Sequence, residues 1–317
     1  MNIAFWDNQL CERGTTTALF DYAFNNQKLL NNNSFIFYLK NNRYNVTEVI
    51  NKFKDHFPIF SVENFSEVDD ILKQNNITHI YIIKSGNEKH LQSNVAKNCI
   101  HCVFHTHSEH GDVYSSIHEM VPGNEGGKRY PVVPHMINLP DNNDNMRKEL
   151  NIPDDAIVFG GYGGSNNFSI NYVQELVKEI AEKNKNIYFL FANFKPFCES
   201  KINIIHLPKI INLEKKTKFI NTCNANLWAR IDGETFGLSM GEFCSKNKPV
   251  ICTEVNIRHI GHKYILKDKA IWYSNKEDLK QILLNFDPII ESKKDWNAYS
   301  EYTPEKVMNI FNKVFLT

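Results

Sequence analysis

With 317 residues, 42% of them apolar and 23% charged, the chain has the composition of a globular protein long enough for two hydrophobic cores. Its 36 basic residues balance 36 acidic ones, so no positive excess points to nucleic acid or to an anionic membrane. No apolar run approaches the roughly 20 residues that span a bilayer, no secretory leader opens the chain, and seven scattered cysteines suit a reducing compartment, so a cytoplasmic location is expected.

The first half alternates strand and helix. Residues 3–6, 34–39, 79–83 and 99–105 are β-rich runs, and residues 16–30 and 66–74 are amphipathic segments of helical length, the second opened by Ser66 as N-cap. This alternation predicts βαβ units on a mostly parallel sheet covered by helices. A break follows. Residues 121–145 hold Pro122, Gly123, Gly126, Gly127, Pro131, Pro134 and Pro140 and end in a polar run. We place the domain boundary there, between a first domain over 1–140 and a second over 141–317. The last helix, 304–315, has the option of packing back on the first domain.

The second half repeats the pattern. A strand at 156–159 leads into Gly160-Gly161-Tyr162-Gly163-Gly164-Ser165, and a strongly amphipathic helix follows at 170–183. Further strands are predicted at 187–192, 204–206, 225–228, 249–252 and 270–273. The expected fold class is α/β, with two Rossmann-like domains.

Three stretches carry candidate chemistry. The richest runs from Arg230 through Glu234, Phe236, Gly237 and Leu238 to Glu242, between a predicted strand and the helix that starts near Gly237. In an open parallel sheet, ligands bind outside the carboxyl ends of the strands. A fresh helix N-terminus there offers free N–H groups and partial positive charge to a phosphate. A carboxylate on either side can accept hydrogen bonds from sugar hydroxyls. A capped surface helix with solvated glutamates would give the same spacing.

The run Glu234-x7-Glu242, with Phe236-Gly237-Leu238 inside it, resembles the Glu-x7-Glu motif of retaining GT-B glycosyltransferases of the family 4 type. That resemblance implies two Rossmann-like domains facing across a cleft, with Glu234 on the donor sugar and Glu242 on the ribose. It places the amides near Gly237 and Leu238 on the diphosphate of a nucleoside-diphosphate sugar such as a UDP- or GDP-sugar. It also implies transfer with retention by a hexosyltransferase-type enzyme without a metal or other cofactor. The acceptor, whether glycan, lipid or protein, stays open, as does contact with a membrane surface; no nucleic-acid partner is expected.

The second stretch, Gly160 to Ser165, reads as a glycine-rich turn able to cradle phosphate, so Gly160, Gly161, Gly163 and Gly164 are donor-site candidates. The family carries an arginine and a lysine nearby, whereas residues 161–169 contain neither. Arg230 is the candidate substitute, ahead of Lys195 and Lys209. The third stretch contains Phe104-His105-Thr106, which resembles a strand end whose histidine faces the donor sugar, so His105 inherits that role. A rival reading takes His105, His107, Glu109, His110 and Asp112, with Cys99 and Cys102, as a metal site of a hydrolase. A third reading is a non-catalytic protein of the same fold, in line with the missing basic pair.

Smaller expectations complete the reading. Thr15 or Thr16 is expected to cap the first helix. The run Lys215, Lys216 and Lys218 is expected on a solvated helix face. Trp6, Trp228, Trp272 and Trp296 are expected in cores.

Overall fold

In the computed structural model of this chain, the residues described are 1–122 and 130–317; Gly123, Gly126 and Gly127 of the expected loop lie outside them. The chain forms two compact units, one of Met1–Met136 with Tyr302–Thr317 and one of Ile137–Glu301.

The first unit begins β1 (Asn2–Trp6), α1 (Gly14–Lys28), β2 (Asn33–Leu39), α2 (Thr47–Lys54) and β3 (Ile59–Val62). It continues through α3 (Val68–Gln74), β4 (His79–Lys84), β5 (Lys97–Cys102) and β6 (Val113–Ser116). Every pairing is parallel, in the order β3-β2-β1-β4-β5-β6. Ala4, Trp6, Ile80 and Ile82 fill one face of this sheet together with Val68 and Leu72 from α3.

The second unit runs β7 (Ile157–Tyr162), α4 (Asn171–Lys183), β8 (Ile187–Ala192), β9 (Ile204–Leu207), α5 (Leu213–Thr222) and β10 (Ala225–Leu227). It goes on with β11 (Gly233–Glu234), α6 (Leu238–Ser245), β12 (Val250–Cys252), β13 (His259–Ile260) and α7 (Gly261–Leu266). It ends with β14 (Ile271–Trp272), α8 (Lys276–Leu284) and α9 (Pro288–Glu291). Its main sheet is again parallel, in the order β14-β12-β10-β7-β8-β9, with a separate β11-β13 pair.

Each sheet therefore starts at a central strand, grows outward on one side, and then crosses to the other. The reversal falls between β1 and β4 in the first unit and between β7 and β10 in the second. This is the strand order of a dinucleotide-type Rossmann fold, whose crevice opens where the order reverses. Helices cover both faces of such sheets, so central strands are continuous apolar runs: every residue of β8 is buried. Phe159, Phe189 and Phe191 are each no more than 1% exposed, and full burial of such a ring contributes about 1.5–3 kcal/mol.

The last helix, α10 (Pro304–Phe311), continues into a π-helical turn over Asn312–Leu316. Thr303 caps it, accepting from the Lys306 amide. Its buried rings lie in the first unit: Phe311 stacks on Tyr22 at 5.2 Å and Phe315 lies 5.6 Å from His101.

Several local expectations need correction. The strand predicted at 99–105 ends at Cys102, so Phe104 and His105 are in the following loop. Asn64, not Ser66, opens the segment before α3, through a reciprocal capping box with Glu67 on a 3-10 turn. Neither Thr15 nor Thr16 caps α1: Arg13 holds the cap position without a side-chain bond, and Thr16 turns its hydroxyl to Asp7 at 2.9 Å. Trp6, Trp228 and Trp296 are buried, but Trp272 is only half-buried. The strands β3 and β6 are too short to show a period in the sequence, and both sit at sheet edges.

Candidate active site

The second unit gathers most of the candidate residues at its sheet reversal. Gly160 and Gly161 lie inside β7 and not in the turn after it. Their lack of a side chain serves close packing. A Cβ on Gly160 would sit 2.2 Å from Cys223 Sγ, and one on Gly161 would sit 2.9 Å from the Leu227 carbonyl oxygen. The turn itself holds Gly163 and Gly164, both beside Asn167. Asn226 ties the two central strands together by donating from Nδ2 to the Gly160 carbonyl at 3.0 Å.

Beyond β10 the chain passes Trp228 and Arg230 and enters the short pair β11-β13. Here Glu234 is held from two sides. Arg230 Nη1 lies 3.1 Å from its Oε2, and the Trp228 indole N–H donates to its Oε1 at 3.3 Å. Both members of the Arg230–Glu234 pair are 17% exposed, so the charges are largely withdrawn from water but still reachable. His262, at the start of α7, is buried behind this pair, with its ring 4.9 Å from the Trp228 ring. Burial holds its pKa below the usual histidine value.

Gly237 makes the turn into α6 with φ 83° and ψ 61°, a left-handed conformation that an L side chain strains to adopt. It has no side chain with which to cap the helix, so the amides of the first turn remain available to an anion. Leu238, the first helical residue, is half-buried. Phe236 contributes differently from the expectation: its ring is buried against Tyr299, and its carbonyl accepts from the Tyr299 hydroxyl at 2.6 Å. Tyr299 thus anchors the backbone just before the helix tip.

Glu242 lies one turn further along α6, buried, and joins a charge network that sequence reasoning missed. Lys216 Nζ on α5 donates to Glu242 Oε1 at 2.8 Å, with the side chains 10% and 7% exposed. The Tyr162 hydroxyl, at the end of β7, donates to Glu242 Oε2. Lys216 is therefore not on the solvated helix face expected for the run 215–218. Its neighbours Lys215 and Lys218 gave the stretch a surface composition. Only the i, i+3 and i+4 positions of α5 show that Lys216 shares a face with Phe219 and Ile220.

His105 belongs to the first unit. Its ring stacks on His107 at 5.5 Å, and its amide donates to the Ser85 carbonyl at 3.1 Å. Burial, then the neighbouring His107, lowers its pKa. The residues from His105 to Asp112 do not gather as metal ligands: among the described residues no group of three His, Cys, Asp or Glu side chains could hold a metal ion. Cys99 instead points its thiol at the Phe315 carbonyl, and all seven cysteines are free. Among the described residues no helix is long and apolar enough to cross a membrane.

No family model matches this chain, and no curated protein matches it. Solved structures do. A glycosyltransferase from Rickettsia africae is similar with a TM-score of 0.68 at 11% identity, over 99% of this chain and 98% of that one. HepE of Anabaena, solved in complex with UDP-glucose, has a TM-score of 0.68 at 12% identity, over 99% of this chain and 95% of its own. The fold is GT-B. WaaG, a glycosyltransferase involved in lipopolysaccharide biosynthesis, also shares it, with a TM-score of 0.65 at 8% identity over 98% and 99% of the two chains. At these identities the likeness is one of GT-B architecture, which agrees with the α/β class and the two parallel six-stranded sheets.

Proposed function

We propose that this chain is a nucleotide-sugar-dependent glycosyltransferase whose donor binds at the sheet reversal of the second unit. The observation that carries the reading is the uncapped N-terminus of α6, opened by left-handed Gly237 and flanked by two anchored glutamates. An uncapped helix tip suits a diphosphate, and fixed carboxylates suit hydroxyl groups. The GT-B neighbours support it: HepE was solved with UDP-glucose and with UDP.

In this reading the amides at Gly237 and Leu238 receive the diphosphate. Glu242, held by Lys216 and Tyr162, accepts from the ribose, and Glu234 accepts from a hydroxyl of the donor sugar. Arg230 replaces the absent basic pair and stabilises negative charge on the departing diphosphate. Gly163 and Gly164 line the turn beside the phosphates; Gly160 and Gly161 contribute by letting the strands approach. The role proposed for His105 is the donor-sugar contact that the family resemblance implies. Transfer of a hexosyl unit with retention, without a metal, completes the proposal. Positioning of the acceptor hydroxyl supplies the rest of the rate enhancement.

A thermal-shift screen of UDP-, GDP- and ADP-sugars tests it. One nucleotide family is expected to raise the melting temperature, with the rise lost in Glu242→Ala and reduced in Glu234→Ala. Absence of any shift with all three families would favour the non-catalytic reading.

A further inference from the structure

The proposed donor site leaves a second feature unexplained. A cavity of about 770 Å³ opens in the first unit, lined by Trp6 and Lys84, which end β1 and β4. It therefore lies at the sheet reversal of that unit, where the carboxyl ends of parallel strands leave room for a ligand.

The bonding of its lining is lopsided. The carboxylates are already occupied. Asp69 accepts from the Ser93 hydroxyl at 2.6 Å and from the Asn94 amide at 3.1 Å; Glu88 accepts from the Ser85 hydroxyl at 2.9 Å; Glu63 pairs with Lys40 at 3.2 Å. The donors are not. Trp6 Nε1, Arg13 Nε and Thr15 Oγ1 are buried atoms without a hydrogen-bond partner, and all three residues line the cavity. Lys84 is only 7% exposed, and its ammonium donates to a neutral group, the Glu88 carbonyl, at 2.6 Å. Burial, only partly offset by Glu88, pushes its pKa down to about 8.

A buried donor without an acceptor is destabilising, and a buried cation more so. A ligand that relieves these costs must bring acceptors and negative charge together. A neutral polyol brings acceptors for these donors but no negative charge for the buried ammonium. An apolar chain would leave every donor unmet.

We propose that this cavity binds an oxyanion, a carboxylate or phosphate carried on the acceptor substrate, with Lys84 as the residue that selects for its charge. Arg13, fixed by its pairing with Asp7, and Thr15 present the remaining donors. Calling the ligand the acceptor rests on the glycosyltransferase reading; the binding of an oxyanion does not.

Isothermal titration of the full chain without donor tests it, with glucose, glucose 6-phosphate, glucuronate and inorganic phosphate as probes. At least one anionic probe is expected to bind more tightly than glucose by about tenfold, the scale of one charge-assisted hydrogen bond. Glucose 6-phosphate against glucuronate distinguishes a phosphate from a carboxylate source, and inorganic phosphate shows how much the oxyanion achieves alone. Lys84→Met should abolish the preference for charge, Lys84→Arg should keep most of it, and Thr15→Val should weaken every anionic probe. Glucose binding as tightly as the anions, silence of all four probes, or an unchanged preference in Lys84→Met would overturn the proposal. UDP titrated into the same proteins separates the two readings. UDP binding that survives Lys84→Met shows a folded protein whose donor site is independent. Oxyanion binding without UDP binding would leave this cavity standing and remove the proposed donor site.

Discussion

Lys216 and Glu242 stand on neighbouring helices of the second unit, with the ammonium 2.8 Å from a carboxylate oxygen and both side chains almost withdrawn from water. Removing one member of such a pair leaves a buried charge unanswered, which costs about 3–5 kcal/mol. Lys216→Met is therefore expected to destabilise the protein by about 3 kcal/mol in equilibrium urea unfolding. The double variant Lys216→Met with Glu242→Leu should recover much of that loss, because two apolar side chains replace the pair. A double variant as unstable as the single one would show that the pair itself, and not the orphaned carboxylate, carries the stability.

Arg230 is the cation assigned to the departing diphosphate. Loss of a preorganised charge at that position lowers turnover by about 10²- to 10³-fold in comparable electrostatic sites. Arg230→Met is thus expected to cut kcat by about 10²-fold while nucleotide affinity changes far less. Release of nucleoside diphosphate, followed with the donor found in the thermal screen, measures it. Equal losses in affinity and turnover would assign Arg230 to ground-state binding instead.

Gly160 offers a purely structural test. An added Cβ would lie 2.2 Å from Cys223 Sγ, so the neighbouring groups would have to shift. Overpacking of this kind costs about 1–3 kcal/mol. Gly160→Ala should lower the melting temperature, and Cys223→Ala in the same chain should restore part of it. If the second change brings no recovery, the clash lies with the Leu190 carbonyl, 3.2 Å from the same position.

The first unit should weaken in mild acid. His101 and His135 are buried with ring centroids 5.9 Å apart, and burial lowers both pKa values, that of His135 to about 3. Unfolded histidine titrates near 6.5. Below that pH the unfolded chain takes up protons that the folded chain refuses, so stability falls as pH falls. Their contribution is complete above about pH 6.5 and is lost progressively toward pH 3. Between pH 7.5 and 5.5 each histidine should remove about 1.4 kcal/mol, read by urea unfolding at the two pH values. His135→Gln should flatten the dependence, since an amide takes no proton in this range.

The order of residues alone determined the alternation of strand and helix, hence two parallel α/β layers. Strands buried on both faces, such as 187–192, must be apolar throughout, and amphipathic helices such as 171–183 must show a 3.6-residue period. It also determined the pairing of Glu234 with Glu242 about a helix start, because both depend on spacing within one segment. Tertiary structure alone decided what meets those segments from elsewhere in the chain. Lys216 sits 26 residues before Glu242, Tyr162 sits 80 before it, and Tyr299 sits 63 beyond Phe236. Sheet order, which brings β7 beside β10 and β1 beside β4, sets these meetings and also creates the cavity at Lys84. A local pattern encodes its own period and caps. It cannot encode which distant side chain will share its low-dielectric surroundings, and that sharing made Lys216 a buried partner of Glu242.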